Sequence, residues 1–234
     1  RDSGYVTQGI VQKEAITENG IKYIKQDGSV GYYQTVNKTT PVAGDVKYVD
    51  RNGDGVVDDN DRDIIGNPNP DFTYGFQTKV SWKSLSLSAS FNGVQGRDIL
   101  NVGNRYNNTP GTKSNNVTRK AFQNMWTDEN PSNLYPKSTF VVQNMVMDRY
   151  VEDGSYLRCS DITLSYVLPA KWTNKIGIKN TSVYASVKNA FVITDYSGYD
   201  PEVNSFAFDG LRPGVDMNSY PTPRSFVFGL NLTF

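Results

Sequence analysis

The sequence predicts an all-β fold of antiparallel strands, and three observations favour a membrane barrel over a soluble sandwich. Apolar and polar residues alternate over runs of about ten residues, the length that a tilted membrane strand needs, whereas soluble strands average about 5–6. The apolar rows carry no charge in their middle sections, while the polar rows carry serines and lysines. Short and long connections also alternate along the chain, as they do between the two sides of an outer-membrane barrel.

Five segments show this alternation. The first runs from Phe72 to Trp82 and the second begins at Leu85, so the pair Lys83–Ser84 predicts a two-residue turn. Because residues that flank such a turn face the same side, Trp82 and Leu85 belong to one apolar row. The other strands are predicted at about 156–168, 181–191 and 224–234, with long connections at 94–155 and 192–223 and a short one at 169–180.

The last segment has the clearest apolar row, which comprises Phe226, Phe228, Leu230, Leu232 and Phe234. In the third strand Arg158 shares the apolar row, so we expect it to lie beyond the apolar band. Five strands alone would leave two open edges in lipid, where unpaired backbone groups find no water. The chain is therefore predicted to be the C-terminal part of a larger barrel, with an extracellular loop region at 1–70 and barrel strands within 71–234.

Composition excludes several kinds of chemistry. The 24 basic and 24 acidic residues balance, which gives no long-range attraction to nucleic acid. The chain has no histidine and one cysteine, so a zinc site, a Ser-His-Asp triad and a Cys-His pair are unavailable within it. Its carboxylates concentrate in one loop, and no separate acid/base pair stands apart from them. An enzyme is not predicted.

That loop, residues 50–61, matches the spacing D-x-[DN]-x-[DN]-G of a calcium-binding loop. Five carboxylates within these residues would repel one another without a cation. The absence of evident flanking helices predicts that a bound calcium ion would staple the loop rather than act as a sensor, and the alternative is a solvated acidic turn. The candidate ligands are Asp50, Asn52, Asp54, the carbonyl of Val56, Asp58 through water, and Asp61.

Two further groups are candidates for contact with a substrate. The polar rows of the strands predict a water-filled passage, and the residues expected to line it include Gln77, Lys79, Tyr184 and Lys188. The long loops carry the aromatic residues Tyr196, Tyr199, Phe206 and Tyr220. These rings can stack on sugars, although packing against neighbouring loops or a partner is the favoured interpretation because most aromatic residues are buried for area. A short helix is predicted over Thr118–Trp126.

An ordered set of motifs resembles the C-terminal end of the SusC/RagA family of TonB-linked outer-membrane proteins of Bacteroidota. The resemblance begins near residue 44 and continues to the end of the chain, while residues 1–43 do not match firmly. The motifs are Gly44–Asp50, the acidic loop, Ile64–Phe72, Tyr156–Arg158, Tyr196–Val203 and the terminal Gly229–Phe234.

The resemblance implies an antiparallel transmembrane β-barrel of about 22 strands with long extracellular loops. It also implies gated import of oligosaccharides or peptides, a SusD-like surface lipoprotein as partner, and TonB contact through an N-terminal region outside this sequence. Phe234 would be the barrel-assembly signal. A rival hypothesis is a secreted, calcium-stabilised β-module that binds carbohydrate, and a third is a passive porin without a plug.

Overall fold

A computed structural model describes residues 2–109, 116–139, 145–173, 178, 180–206, 208–210 and 212–233. The chain divides into two compact units. One comprises residues 1–68, 98–152 and 204–218 and is called the loop unit below. The other comprises residues 69–97, 153–203 and 219–234 and is called the sheet unit.

Strands dominate the described residues. They are β1 (Asp2–Gly4), β2 (Thr7–Ile10), β3 (Ile16–Thr17), β4 (Gly20–Ile24), β5 (Val30–Tyr33), β6 (Thr35–Val36), β7 (Val46–Tyr48), β8 (Val56–Val57), β9 (Asp63–Gly66), β10 (Phe72–Trp82), β11 (Leu85–Gln95), β12 (Asp98–Asn101), β13 (Val151–Asp153), β14 (Tyr156–Val167), β15 (Asn180–Thr194), β16 (Val215–Asp216) and β17 (Ser225–Thr233). The helices are α1 (Val102–Asn108), α2 (Arg119–Asn124) and α3 (Ala170–Thr173), with 3₁₀ turns at Lys13–Ala15, Asp59–Asp61 and Asp148–Tyr150. No helix among the described residues is long and apolar enough to cross a membrane.

The sheet unit is a five-stranded antiparallel sheet in the order β10-β11-β14-β15-β17. The turn at Lys83–Ser84 pairs Trp82 with Leu85, which confirms the predicted register. Lys83 adopts a φ of 53°, the left-handed conformation that tight hairpin turns use. All five predicted strands are present, and β15 extends at both ends beyond the predicted 181–191.

The apolar row of this sheet is exposed rather than packed against a second sheet in the part of the chain that the structure describes. Phe228 is 79% exposed, and Phe226, Leu230 and Val80 are similarly uncovered. A soluble sandwich would bury these side chains between two sheets. The architecture is that of a partial barrel, as predicted.

The prediction for Arg158 is wrong, because a β-bulge changes the face on which it lies. Ser90 pairs with Asp161 and Phe91 pairs with Cys159, so Ser160 is an extra residue in β14. An extra residue inverts the alternation on one side of it. Arg158 therefore pairs with Asn92 and belongs to the polar row, not the apolar one.

The loop unit follows the opposite packing rule. Its small sheets of two or three strands enclose a buried core. Five tyrosines contribute to this core, namely Tyr5, Tyr23, Tyr33, Tyr48 and Tyr150. The predicted helix at 118–126 is present as the shorter α2, where the Thr118 hydroxyl accepts from the Ala121 N–H at 3.1 Å and caps the first turn. Trp126, just beyond the helix, is buried, whereas Phe122 is exposed.

Candidate functional site

The acidic loop wraps its first carboxylate in backbone N–H groups. Asp50 Oδ1 accepts from the Gly53 N–H at 2.6 Å and Oδ2 accepts from the Gly55 N–H at 2.8 Å. Both glycines have positive φ, 76° and 86°, which other residues adopt only at a cost. Burial raises the pKa of the Asp50 carboxyl, the two N–H groups lower it in part, and the neighbouring carboxylates of Asp61 and Asp54 raise it again.

Asp61, the last residue of the loop, is fully buried and satisfies three backbone donors. Its Oδ1 accepts from the N–H groups of Arg51 at 2.8 Å and Asn52 at 3.2 Å, and its Oδ2 accepts from Asp58 N–H at 2.8 Å. The Asp58 carboxylate in turn accepts from Asn60 N–H at 2.8 Å, which completes a capping box around the 3₁₀ turn. Asp61 therefore has a structural role of its own.

The middle of the loop is exposed and internally hydrogen-bonded. Asp54 accepts from Val56 N–H at 2.9 Å and from the Asn52 side-chain amide at 3.0 Å, while Asn52 Oδ1 accepts from Asp54 N–H at 2.9 Å. Among the residues that the structure describes, no group of three or more His, Cys, Asp or Glu is placed to hold a metal ion. The candidate ligands are nevertheless all oxygens, the atoms that Ca²⁺ prefers, and the carboxylate oxygens of Asp50 and Asp54 each accept one hydrogen bond and keep a second lone pair. Calcium binding stays a prediction.

Two core tyrosines of the loop unit donate hydrogen bonds to the acidic loop. The Tyr23 hydroxyl donates to the Asp50 carbonyl at 2.7 Å, and the Tyr5 hydroxyl donates to Asp59 Oδ1 at 3.0 Å. Burial, followed by the hydrogen bond to Asp59, raises the pKa of Tyr5 to about 12. Its hydroxyl therefore stays protonated and remains a donor at neutral pH. The ends of the loop, Asp50 and Asp61, are thus buried beside the loop unit's core, while its middle stays exposed.

All four residues predicted to line a passage lie on the polar face of the sheet unit, namely Gln77, Lys79, Tyr184 and Lys188. Gln77 and Lys188 lie on one cross-strand line, since Gln77 pairs with Ser90, Ser90 with Asp161, and Asp161 with Lys188. The Gln77 amide donates to Ser90 Oγ at 3.1 Å, and Lys188 Nζ lies 2.5 Å from Asp161 Oδ2. Their contact with a substrate stays a prediction.

Tyr184 lies along the sheet instead of standing out from it. It pairs directly with Gly229, where an added Cβ would meet the tyrosine ring at 2.2 Å. Only glycine leaves room for the ring on the backbone of the next strand. Tyr74 covers Gly93 in the same way. This geometry favours a role for Tyr184 in packing the wall.

An ionic cluster around the buried pair Arg158 and Asp200, which sequence reasoning missed, lies where β14 begins. Arg158 Nη2 is 2.5 Å from Asp200 Oδ1 and its Nε is 3.0 Å from Glu202 Oε2. Glu202 Oε1 also accepts from the Tyr156 hydroxyl at 2.6 Å and the Asn92 amide at 3.1 Å. The sequence signal was present only as two motifs of opposite charge, at 156–158 and 196–203, with nothing to show that they meet.

Comparison with known proteins identifies the relatives of this chain, although no family model matches it. It is 35% identical over 201 residues to TonB-dependent receptor P26 of Formosa agariphila, a match that covers 82% of this chain and 20% of the relative. It is 34% identical over 194 residues to TonB-dependent receptor SusC of Bacteroides thetaiotaomicron, covering 80% of this chain and 17% of that protein. The chain belongs to the SusC/RagA family of TonB-linked outer-membrane proteins.

Solved structures agree with this assignment to the SusC/RagA family. The RagAB peptide importer in its open-open state superposes with a TM-score of 0.67 at 25% identity, covering 99% of this chain and 22% of that chain. The RagAB peptide transporter superposes with a TM-score of 0.69 at 23% identity and supports the fold. This SusC/RagA chain thus spans about a fifth of the length of the relatives that it matches.

The loop aromatics of this SusC/RagA chain fall into two groups. Tyr196 is buried with its ring over Gly198, and the Phe206 ring packs against the loop unit's core, with the Arg212 guanidinium 5.4 Å from its centre. Tyr199 and Tyr220 are exposed, at 74% and 89%. Exposure leaves these last two available for stacking, which stays a prediction. The assembly-signal prediction concerns Phe234, which lies outside the described residues.

Proposed function

We propose that this chain supplies part of the wall and loops of an outer-membrane transporter that imports nutrients and is energised through TonB. One observation carries the proposal: a single sheet presents an exposed apolar row on one face and a hydrogen-bonded polar row on the other. Such a sheet suits lipid on one side and water on the other. The names of the matching TonB-dependent receptors support the same function.

The proposed partner is a SusD-like surface lipoprotein, and the proposed cargo is an oligosaccharide or a peptide. The family assignment supports the partner, and the RagAB peptide importer supports a peptide as one class of cargo. TonB would act through an N-terminal region outside this sequence. Import through the passage does not require this chain to make or break covalent bonds in the cargo, so its residues would select and guide the cargo.

The test uses the full-length protein in its own cells. We expect it to be extracted from the outer membrane only with detergent and to co-purify with a lipoprotein encoded beside it. Deleting its gene should abolish uptake of one nutrient class, and a TonB deletion should abolish the same uptake. Uptake that persists without TonB would indicate a passive porin, and a protein that remains in aqueous solution would indicate the secreted carbohydrate-binding module.

We further propose that the acidic loop at residues 50–61 binds a structural calcium ion. The oxygen-only donor set and its spacing support this proposal. In the full-length transporter, a chelator should speed proteolysis within the loop, and added Ca²⁺ should reverse the effect. Asp54→Ala should remove the dependence on Ca²⁺ and weaken lipoprotein docking without unfolding the barrel. Proteolysis that is unchanged by chelator would mean that the hydrogen bonds of Asp50 and Asp61 suffice.

A further inference from the structure

A short piece of the loop after β15 is folded onto the sheet unit. Asp200, Pro201 and Val203 are buried, whereas Tyr199 immediately before them is exposed. Such a change within adjacent residues means that this segment, Tyr199–Val203, has one side against the protein and one side free. The residues that cover its buried side come from β11 and β14.

Arg158 forms the centre of the contact. Its guanidinium reaches both acids of the segment, with Nη2 at 2.5 Å from Asp200 Oδ1 and Nε at 3.0 Å from Glu202 Oε2. The side chains of Arg158 and Asp200 are almost fully buried, at 6% and 4% exposure. A planar guanidinium with several fixed donors suits two carboxylates at once.

Other polar contacts add to this ion pair. Glu202 Oε1 accepts from Tyr156 and Asn92, and the Arg97 guanidinium donates to the Val203 carbonyl at 3.3 Å. Asp200 also accepts from the Thr222 N–H at 3.1 Å, on the return side of the loop. The segment is therefore held to two strands and to its own loop.

The bulge at Ser160 determines on which face this contact forms. Because of the bulge, Arg158 points to the polar face together with Asn92. The opposite face carries the exposed apolar row, which must meet lipid in a barrel, so the polar face is the interior. The loop segment thus folds inward over the wall of the proposed passage.

We propose that Arg158, Asp200 and Glu202 form a latch that holds Tyr199–Val203 inside the passage and narrows it, with Tyr199 on the free side. The inward position rests on the proposed transport function. Ionised groups suit a contact that opens, because each partner is well hydrated when released, whereas apolar anchors are not. In this proposal Arg158 is a positioning residue for Tyr199.

Hydrogen–deuterium exchange of the full-length transporter in detergent tests the latch. Arg158→Met should speed exchange of peptides within 196–203 on the order of 100-fold, since it leaves the buried Asp200 carboxylate and the partly exposed Glu202 carboxylate without their cation. Arg158→Lys, which keeps the charge but loses the fork, should give an intermediate increase. The matched control is Lys188→Met, which breaks the ion pair with Asp161 on the same face without touching the loop, and it should leave these peptides unchanged.

Thiol labelling tests the inward position. With Tyr199→Cys in the same purified protein, a small thiosulfonate should react readily and a bulky polyethylene-glycol maleimide slowly. Adding Arg158→Met should bring the bulky reagent to within about tenfold of the small one. The buried Cys159 gives the background rate in the parent protein.

Each result decides one claim. Unchanged exchange in Arg158→Met protein that is still folded would overturn the latch, and equal labelling by the bulky reagent with or without Arg158 would overturn the narrowing. Neither measurement depends on transport. A failure of the proposed function would therefore appear separately, as nutrient uptake that does not depend on TonB.

Discussion

The loop unit buries its apolar and aromatic side chains, whereas the sheet unit exposes side chains of the same types. In the loop unit, Tyr33 and Tyr48 are buried in a core and their polar atoms are hydrogen-bonded. In the sheet unit, Phe226 and Phe228 are exposed along one face, and the hydrogen-bonded side chains occupy the other. A water-soluble protein shows the first pattern throughout, whereas a sheet that is solvated by lipid shows the second.

Whether an exposed apolar row is favourable depends on the solvent that surrounds it. An exposed phenylalanine row would promote aggregation in water, but in a bilayer it is the favourable arrangement. The consequence is that equivalent substitutions should have opposite effects in the two units.

Removing a core tyrosine should damage the loop unit most. Tyr33 is fully buried and its hydroxyl accepts from the Tyr48 N–H at 3.1 Å. We expect Tyr33→Ala to destabilise this unit by about 3–5 kcal/mol, as large-to-small changes of aromatic core residues do. Hydrogen exchange of loop-unit peptides in the full-length protein measures the change.

Tyr33→Phe is the matched control, because it keeps the ring and removes one hydrogen bond worth about 1 kcal/mol. Exchange in β14 provides an internal reference. If Tyr33→Ala left the loop-unit peptides as protected as before, the buried tyrosines would not form a cooperative core. The proposed difference in packing between the loop unit and the sheet unit would then be contradicted.

A charge on the apolar row should be the next largest effect. Phe228 and Val227 are neighbours in β17 that point to opposite faces of the sheet. Phe228→Arg should cost about 2–4 kcal/mol if the row meets the bilayer centre, and it should lower the amount of folded, heat-modifiable protein in the outer membrane. Val227→Arg places the same charge on the polar face and should assemble normally.

Similar losses in both variants would mean that the two faces meet the same environment. Tolerance of arginine at both positions would point to water on both sides and would contradict the barrel. Only the difference between the two adjacent positions supports lipid on one face, which makes the pair more informative than either variant alone.

Asp61→Asn addresses the polar side of the loop unit. The amide cannot replace a carboxylate that accepts from three N–H groups, so a buried donor loses its partner at a cost of about 1–3 kcal/mol. We expect faster exchange within residues 50–61 without added calcium. Asp54→Asn, at an exposed position of the same loop, should change exchange far less under the same conditions. Equal effects of the two variants would indicate that burial of Asp61 does not matter.

The sequence was sufficient where the physics is local. Alternation determines which residues share a face, and the two residues of a hairpin turn determine how the rows join, so the pairing of Trp82 with Leu85 was predictable. The face of Arg158 was not predictable. Ser160 is an extra residue in β14 that moves Arg158 to the other face of the sheet, and the pairing with β11 shows this extra residue whereas the sequence does not.

Contacts between distant segments were also beyond the sequence. Asp200 meets Arg158 from the other side of a long loop, and alternation says nothing about where a loop folds back. The Tyr184 ring was predicted on the polar row, but its position flat on Gly229 depends on which residue of the next strand lies opposite. Register determines the contact of Tyr184, and the path of the long loop determines the contact of Asp200; residue type alone determines neither.

The loop segment that contains Asp200 should show a weak pH dependence. Burial alone would raise the pKa of Asp200, but hydrogen bonds from Glu202 and Thr222 and the charge of Arg158 outweigh it and lower the pKa below 3.8. The carboxylate therefore stabilises the folded loop above pH 3.8, and this contribution is lost as the pH falls through the lowered pKa. Pepsin, which is active in acid, should therefore cleave within 196–203 faster as the pH falls below 3.8. Asp200→Asn cannot ionise and should show the faster cleavage throughout; a pH dependence that survived in this variant would assign the titration to another group.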